Sequence, residues 1–299
     1  MNRAGSESSR IHSFADGVMV EACGRMRSFM FLVGVLWLSI AATAAEITVA
    51  TMNCYLYFDP AYDHPGKVDE SDPLTPEDYV TKTRNLASLI NGCQFVGLEE
   101  TGGRSEIVNL AKVGSFKWGY AKGRDTYTGE EAHFLHNARG WKVTLHGRVA
   151  SLDDKLSKHF YATASRGTIR LHLLVILLIR PIGDQAAKHE QQLAAIHQWA
   201  DELQVREPAA SICILGDTND SATSPARSLI GEGTEAGQLN NFAATHLDGQ
   251  PYDRIILVGR GTIKSAEIIR PPYPQKPNQE TKKLWTDHYV LKAVLDLPD

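Results

Sequence analysis

Cysteine is scarce in this chain. Of four in 299 residues, only Cys54, Cys93 and Cys213 lie beyond the first 45, an odd number, and each falls within or beside an apolar strand-like run. That excludes a disulfide framework and leaves the expectation of three small buried core residues, with a regulatory thiol as the minor alternative. A basic excess is also missing. The formal net charge is -4, and without residues 1 to 45, which hold Arg3, Arg10, Arg25 and Arg27 against Glu7, Asp16 and Glu21, it becomes -5. A protein that holds nucleic acid by general electrostatics carries the opposite balance, so any basic surface here is local. Internal repeats, low-complexity tracts and linkers are absent after residue 45, and 43% hydrophobic content excludes disorder and suits a large core.

The first 45 residues differ from the rest. Met26-Arg27 leads into an apolar run from Phe29 to Ile40, and the small residues Ala41-Ala42-Thr43-Ala44-Ala45 follow. The run is short for a bilayer span, and Ala42 and Ala44 form an A-x-A cleavage pattern just before Glu46. These features predict a secretory signal over 26–45 and an exported, periplasmic or secreted protein, with an uncleaved N-terminal anchor as the alternative. Residues 1–25 have no pattern of their own, consistent with a true start at Met26. Residues 46–299 read as one domain.

From Glu46 onward, strand-like and helix-like stretches alternate. Ile47 to Met52 is β-branched and apolar, as a first buried strand is. Pro60 to Pro76 reads as a surface loop, and Thr75-Pro76-Glu77-Asp78 supplies a cap, a first-turn Pro and acids for a helix to about Asn91. Strands are expected at Phe95–Leu98, Ala132–Leu135, Lys142–Leu145, Ser211–Leu215, Arg254–Val258 and Tyr289–Leu295. Ser105–Val113 reads as a helix. Thr168–Ile179 could be one long strand or two joined tightly. Asp184–Gln204 carries Leu193, Ile196, His197, Ala200 and Leu203 near the spacing of one buried helix face. The alternation predicts a layered α/β domain.

Chemistry-bearing residues fall at the strand ends. Ile214-Leu215-Gly216-Asp217-Thr218-Asn219 stops an apolar strand at Gly and presents an acid and an amide two residues apart, an arrangement that suits one cleft and also suits an ordinary turn. Leu98-Glu99-Glu100 ends another strand on adjacent carboxylates, which repel unless one meets solvent or a cation. Asn53 follows the first strand. Pro251-Tyr252-Asp253-Arg254 precedes Ile255-Ile256-Leu257-Val258, and Trp285-Thr286-Asp287-His288 precedes the last strand. Five strand ends rich in oxygen donors suit a hard divalent cation.

In this order the motifs resemble the endonuclease/exonuclease/phosphatase superfamily, whose members carry a strand ending in Asn, then L-Q-E, G-D-x-N and S-D-H. The matches are Thr51-Met52-Asn53, Leu98-Glu99-Glu100, Gly216-Asp217-Thr218-Asn219 and Thr286-Asp287-His288, and Tyr252-Asp253-Arg254-Ile255 is similar to the penultimate strand of deoxyribonuclease I. Glu99, Thr218 and Thr286 stand where Gln, Phe and Ser are usual. The resemblance implies a four-layer α/β sandwich, two packed mixed β-sheets flanked by helices. It also implies a metal-dependent phosphoesterase, with Asn53, Glu100 and Asp287 holding Mg²⁺, or Mn²⁺ in its place, and with Asp217, Asn219, Asp253 and His288 as catalytic residues. Asp253 would support His288, while Asp217 and Asn219 would orient the attacking water and a phosphate oxygen.

Many members carry a His-Leu pair on the strand before the long helix, where Leu177-Leu178 stands here. His172-Leu173 lies five residues earlier, on the opposite face of a continuous strand, so His172 is either an active-site residue or a hydrogen-bonded histidine of the sheet. Arg180 could supply positive charge near the phosphate. Arg166 resembles a phosphate-contacting position but equally suits a surface ion pair. His133, His136, His146 and His197 read as structural. The expected partner is a phosphoester: nucleic acid, slightly favoured by export and the deoxyribonuclease-like segment, or a small or lipid phosphate, favoured by the acidic balance. The expected protein is a monomer with no stable membrane insertion after cleavage. An inactive binding protein that retains the fold is the alternative, motivated by Leu177.

Overall fold

The computed structural model describes residues 44–61, 74–122, 129–221, 233–273 and 277–299. The expected signal over 26–45 falls almost entirely outside them, as does most of the expected loop between Pro60 and Pro76. Ala44–Asp299 forms one compact unit. Among the described residues no helix is long and apolar enough to cross a membrane.

Two six-stranded sheets make up the body of this unit. The first contains β1 (Ala45–Tyr57), β2 (Phe95–Thr101), β3 (Lys117–Gly119), β4 (Glu131–His136), β11 (Thr262–Ile269) and β12 (Val290–Leu297), in the order β11-β12-β1-β2-β4-β3. The second contains β5 (Lys142–Gly147), β6 (His159–Arg166), β7 (Ile169–Leu177), β8 (Ser211–Asp217), β9 (Thr234–Glu235) and β10 (Asp253–Gly259), in the order β5-β6-β7-β8-β10-β9. Each sheet has one parallel pair, β1 with β2 and β7 with β8, flanked by antiparallel neighbours. The carboxyl ends of both parallel pairs carry the motif residues, which is where an open α/β sheet leaves a crevice.

Alternation along the strands divides the apolar residues into layers. Ile47 and Val49 of β1, Leu173 and Val175 of β7, and Cys213 and Leu215 of β8 face the space between the sheets, with Phe95, Phe134 and Leu295. Met52, Val96 and Leu98 face outward against α1 (Pro76–Leu89) and α2 (Arg104–Gly114) through Leu86, Ile107 and Leu110. Leu174, Ile176, Ile212 and Ile214 face outward against α3 (Ala186–Arg206) through Leu193, Ile196, Trp199 and Leu203. Helix, sheet, sheet and helix are the four expected layers, with α4 (Ala236–Leu239) and α5 (Gln279–Leu284) as short additions.

Local chemistry sets the element ends. Thr75 caps α1 as expected: its hydroxyl accepts from the Asp78 N–H, and the Asp78 carboxylate accepts from the Thr75 N–H. The apolar run after Thr168 forms the single strand β7, and its antiparallel partner is β6, for which no strand was expected. On α3, His197 is only half-buried and pairs with Asp201 at 3.4 Å, while Trp199 fills the core-facing position. All three cysteines of the domain are free and buried, as expected.

Candidate active site

The backbone is distorted where the motifs begin. Tyr55 and Leu56 have φ of 48° and 52°, Glu100 has 52° and Asn219 has 53°, all in the left-handed region that non-glycine residues seldom occupy. The β1–β2 and β2–β4 registers shift at the same places, between Asn53 and Tyr57 and between Leu98 and Thr101. Such irregularities turn a side chain that alternation would bury toward the strand ends, and they cluster at functional sites. Glu99 and Glu100 separate accordingly. Glu99 is fully buried and accepts from Thr51 Oγ1 at 2.8 Å, whereas Glu100 accepts from Asn53 Nδ2 at 2.9 Å.

Asn53 is the hinge of the cluster. Its Nδ2 also donates to Asp217 Oδ2 at 3.0 Å, linking the first sheet to the second, while its Oδ1 accepts from the Tyr55 N–H at 2.9 Å. Asp217 is held from the other side by the Asn219 N–H, 2.7 Å from Oδ1. Asn219 donates to the Leu178 carbonyl and accepts from Arg180 Nε at 3.1 Å, so Arg180 stands beside the motif as its sequence position suggested. Thr218 donates to the Tyr252 carbonyl through both its N–H and its hydroxyl, and His189 of α3 donates to the Thr218 carbonyl at 2.8 Å.

From the last strand, Thr286 Oγ1 donates to the Asn53 carbonyl at 2.7 Å and accepts from the His288 N–H at 3.0 Å. Thr in place of Ser therefore keeps both bonds. His288 Nδ1 donates to Asp253 Oδ2 at 2.8 Å, leaving Nε2 3.9 Å from both Asp217 Oδ2 and Asp287 Oδ1. The structure thus brings Asn53, Glu100, Asp217, Asn219, Asp253, Asp287 and His288 into one place.

Electrostatically the site is an acid cluster around the His288 imidazole. Burial, and then the neighbouring Glu130, raise Glu100 to about 7. Burial raises Asp217 as well, although His288 opposes the shift. Burial disfavours a charge on His288, but Asp253, Asp217 and Asp287 outweigh it and lift the imidazole to about 10. Burial and then Asp253 push Glu99 well above the usual carboxylate range, and Glu99 Oε2 and Asp253 Oδ1 are both buried with no hydrogen-bond partner.

Three sequence expectations are corrected or refined. His172 is not in the site: it lies beside Ile212 in the parallel ladder, five residues before the Leu177–Asp217 pair, where Tyr161 OH donates to its Nδ1 at 2.6 Å and its Nε2 donates to Glu207 at 3.2 Å. Arg166 pairs with Ile169 at the opposite end of the sheet from Asp217, so it contacts no phosphate in this cleft. Leu177 occupies the strand end beside Asp217, and no described histidine replaces it there. One imidazole was missed. His246 lies 3.3 Å from Asp287 Oδ2, with its ring 4.6 Å from that of His288. Its only signal in the sequence is His246-Leu247-Asp248-Gly249, a turn-like stretch just before the Tyr252-Asp253 motif.

Solved structures share this architecture. TDP2 from C. elegans superposes with a TM-score of 0.60 at 14% identity, over 93% of this chain and 82% of that one. An endonuclease/exonuclease/phosphatase protein from Bacteroides vulgatus gives 0.59 at 16% identity, over 85% and 99%. This chain has the endonuclease/exonuclease/phosphatase fold. D. rerio TDP2 in complex with a single-strand DNA product shares that fold too, at a TM-score of 0.57 and 14% identity, over 84% of this chain and 99% of that one. No family model matches the sequence, and no curated protein matches it. At these identities the endonuclease/exonuclease/phosphatase likeness is one of fold, and the chemistry has to be argued from the site itself.

Proposed function

We propose that this chain is a divalent-metal-dependent phosphoesterase, with nucleic acid as the favoured substrate class and a small or lipid phosphoester as the alternative. The observation that carries this reading is the junction at Asn53, which joins Glu100 of one sheet to Asp217 of the other beside the Asp253–His288 pair. The donor set fits a hard cation: Glu100, Asn53 and Asp287 would hold it, burial, with neighbouring acids adding to it, raises Glu100 and Asp217, and Asp287 Oδ1 is buried with no hydrogen-bond partner. When bound, Mg²⁺ or Mn²⁺ supplies a Lewis acid that draws electron density from a phosphate oxygen.

The chain's own residues supply the rest. Asp253 fixes the Nδ1–H tautomer of His288 and supports its positive charge, so Nε2 is the atom that meets a phosphate oxygen. Asp217, with Oδ1 held by the Asn219 N–H, is oriented to accept a proton from an attacking water. That water forms the new P–O bond as the bond to the leaving alkoxide breaks, and no enzyme nucleophile is required. Arg180, bonded to Asn219, adds positive charge at the rim. The DNA product bound to the D. rerio structure supports the nucleic-acid preference, and the net charge of -4 supports the smaller ester. Leu177 beside Asp217 favours a second reading, a catalytically impaired binder that retains the fold.

The test is hydrolysis of plasmid DNA and of bis- and mono-p-nitrophenyl phosphate by the purified chain with Mg²⁺, Mn²⁺ or EDTA. Asp217→Ala and His288→Ala should each lower metal-dependent turnover at least about 10²-fold. Unchanged turnover in either variant would remove that residue from the chemistry. Silence on all three substrates from folded, metal-binding protein would favour the binder.

A further inference from the structure

Thr245-His246-Leu247 runs antiparallel to Asp287-His288-Tyr289. The Leu247 N–H donates to the Asp287 carbonyl at 3.0 Å, the Tyr289 N–H donates to the Thr245 carbonyl at 2.6 Å, and His246 sits opposite His288 in a β-bridge. Backbone pairing, rather than a side-chain contact, therefore sets the two imidazoles side by side. One ring nitrogen of His246, one of His288 and an Asp287 carboxylate oxygen all lie within 4.8 Å of one another.

Each imidazole has a carboxylate behind it. Asp253 accepts from His288 Nδ1 at 2.8 Å, and Asp248 Oδ1 lies 2.8 Å from His246 Nδ1, with its other oxygen accepting from Tyr252 OH at 2.8 Å. The Asp248 N–H also approaches His246 Nδ1, at 3.1 Å, so two tautomers of His246 compete. In one, Nδ1 accepts from that N–H and Nε2–H donates to Asp287. In the other, Nδ1–H donates to Asp248 and Nε2 turns a lone pair toward Asp287, the arrangement His288 takes once a metal displaces its Nε2 proton. A carboxylate behind each metal-facing imidazole is the outer shell that orients metal-binding histidines.

The ligand spacing agrees. Tetrahedral bonds of about 2.0–2.1 Å put ligand atoms roughly 3.3–3.4 Å apart. His246 Nε2 and Asp287 Oδ2 are already 3.3 Å apart, while Asp287 Oδ1, buried with no hydrogen-bond partner, is 3.9 Å from His288 Nε2. Two imidazole nitrogens and one carboxylate make a donor set suited to a borderline ion rather than to Mg²⁺, which takes oxygen ligands.

We infer that His246, Asp287 and His288 form a second cation site, selective for a transition ion such as Zn²⁺, that shares Asp287 with the oxygen-donor site at Glu100 and Asn53. A consequence that rests on the phosphoesterase reading follows: an ion bound to His288 Nε2 occupies the nitrogen that would meet the phosphate, so Zn²⁺ inhibits the enzyme.

The experiment measures Zn²⁺ binding to the full chain against a chromophoric chelator, with Mg²⁺ in large excess. Cysteines are kept reduced and Cys23, outside the described residues, is replaced by Ser. Folding of every variant is checked by circular dichroism in EDTA. Wild type should take up one equivalent of Zn²⁺, and His246→Ala and His246→Asn should each weaken that binding at least about tenfold while Mg²⁺ binding moves less than about twofold. Glu100→Ala should lose Mg²⁺ and keep Zn²⁺. Where turnover is measurable, Zn²⁺ should inhibit wild type more strongly than His246→Asn. Folded wild type that binds no Zn²⁺, His246 variants that bind it as tightly, or a Glu100→Ala variant that loses it would each overturn the site. Zn²⁺ binding without hydrolysis of any phosphoester would leave the site standing and count against the phosphoesterase reading instead.

Discussion

Lys82 is a charged side chain in a fully buried position. Helix α1 carries it against β1, where Nζ donates to the Tyr55 carbonyl at 2.6 Å and lies over the Tyr55 ring. Burial lowers its pKa to about 8, with Cys54, Asp287 and Glu100 pulling the other way. The lysine thus braces the left-handed turn at Tyr55 and Leu56 that follows Asn53. Lys82→Ala should destabilise the chain by about 2–4 kcal/mol in urea unfolding, because it leaves a cavity and a carbonyl without its donor. An unchanged midpoint would show that the turn holds itself. At this scale the sequence was informative where a residue's neighbours in the chain disclose it: Asn53, Glu100, Asp217, Asn219, Asp253, Asp287 and His288 all sit in short motifs beside apolar strand runs. Lys82 and His246 have no such context. The partners that give them a role, Tyr55 and Asp287, are 27 and 41 residues away, and only the folded chain brings them together.

Among the elements, the β7–β8 pair shows most directly why a motif needs a particular residue. Gly216 has φ of 144°, and a Cβ built there would lie 1.9 Å from the Ile176 carbonyl oxygen. The glycine therefore lets β8 close against β7 just where Asp217 must emerge beside Leu177. Gly216→Ala should destabilise the protein by more than about 4 kcal/mol, the scale of a forced backbone clash, and so give little folded protein. A soluble variant with a wild-type melting temperature would contradict this placement. Strands with two apolar faces, such as β7 and β8, were legible because their runs are continuous. Strand β6 was missed because Ala162 and Ala164 face the core where larger residues would have advertised a strand. Strand β11 was missed because a register shift between Ile263 and Ser265 breaks its alternation and most of its residues are exposed or half-buried.

For the whole molecule, stability depends on groups the fold keeps from titrating. Burial depresses His133 to about 4, and burial with the nearby Arg148 does the same for His159. A histidine whose folded pKa lies below its unfolded value adds stability above about pH 6.5 and loses it as pH falls toward 4, because the unfolded chain binds the proton first. A fall from 6.5 to about 4 corresponds to roughly 3 kcal/mol for each histidine. The raised carboxyls of Glu99 and Asp217 act in the opposite sense, so the informative quantity is a difference. Between pH 6.5 and 4, His133→Asn should lose urea stability less steeply than wild type, and parallel curves would show that His133 is not held neutral. The layered class of the fold was readable from alternation alone, whereas the pairing of strands across the sheets was not, since it depends on contacts remote in sequence. That pairing has a consequence for the route of the chain. The second sheet is built from one uninterrupted stretch, β5 to β10, but the first is built from two, β1 to β4 and β11 to β12. The return between them is the short turn Gly259-Arg260-Gly261, and Ala45 lies opposite Leu297. A circular permutant opened at Arg260, with the ends of β12 and β1 joined by a hairpin loop, would therefore encode each sheet as one continuous segment. Such a permutant would separate the two halves of the cleft into consecutive modules.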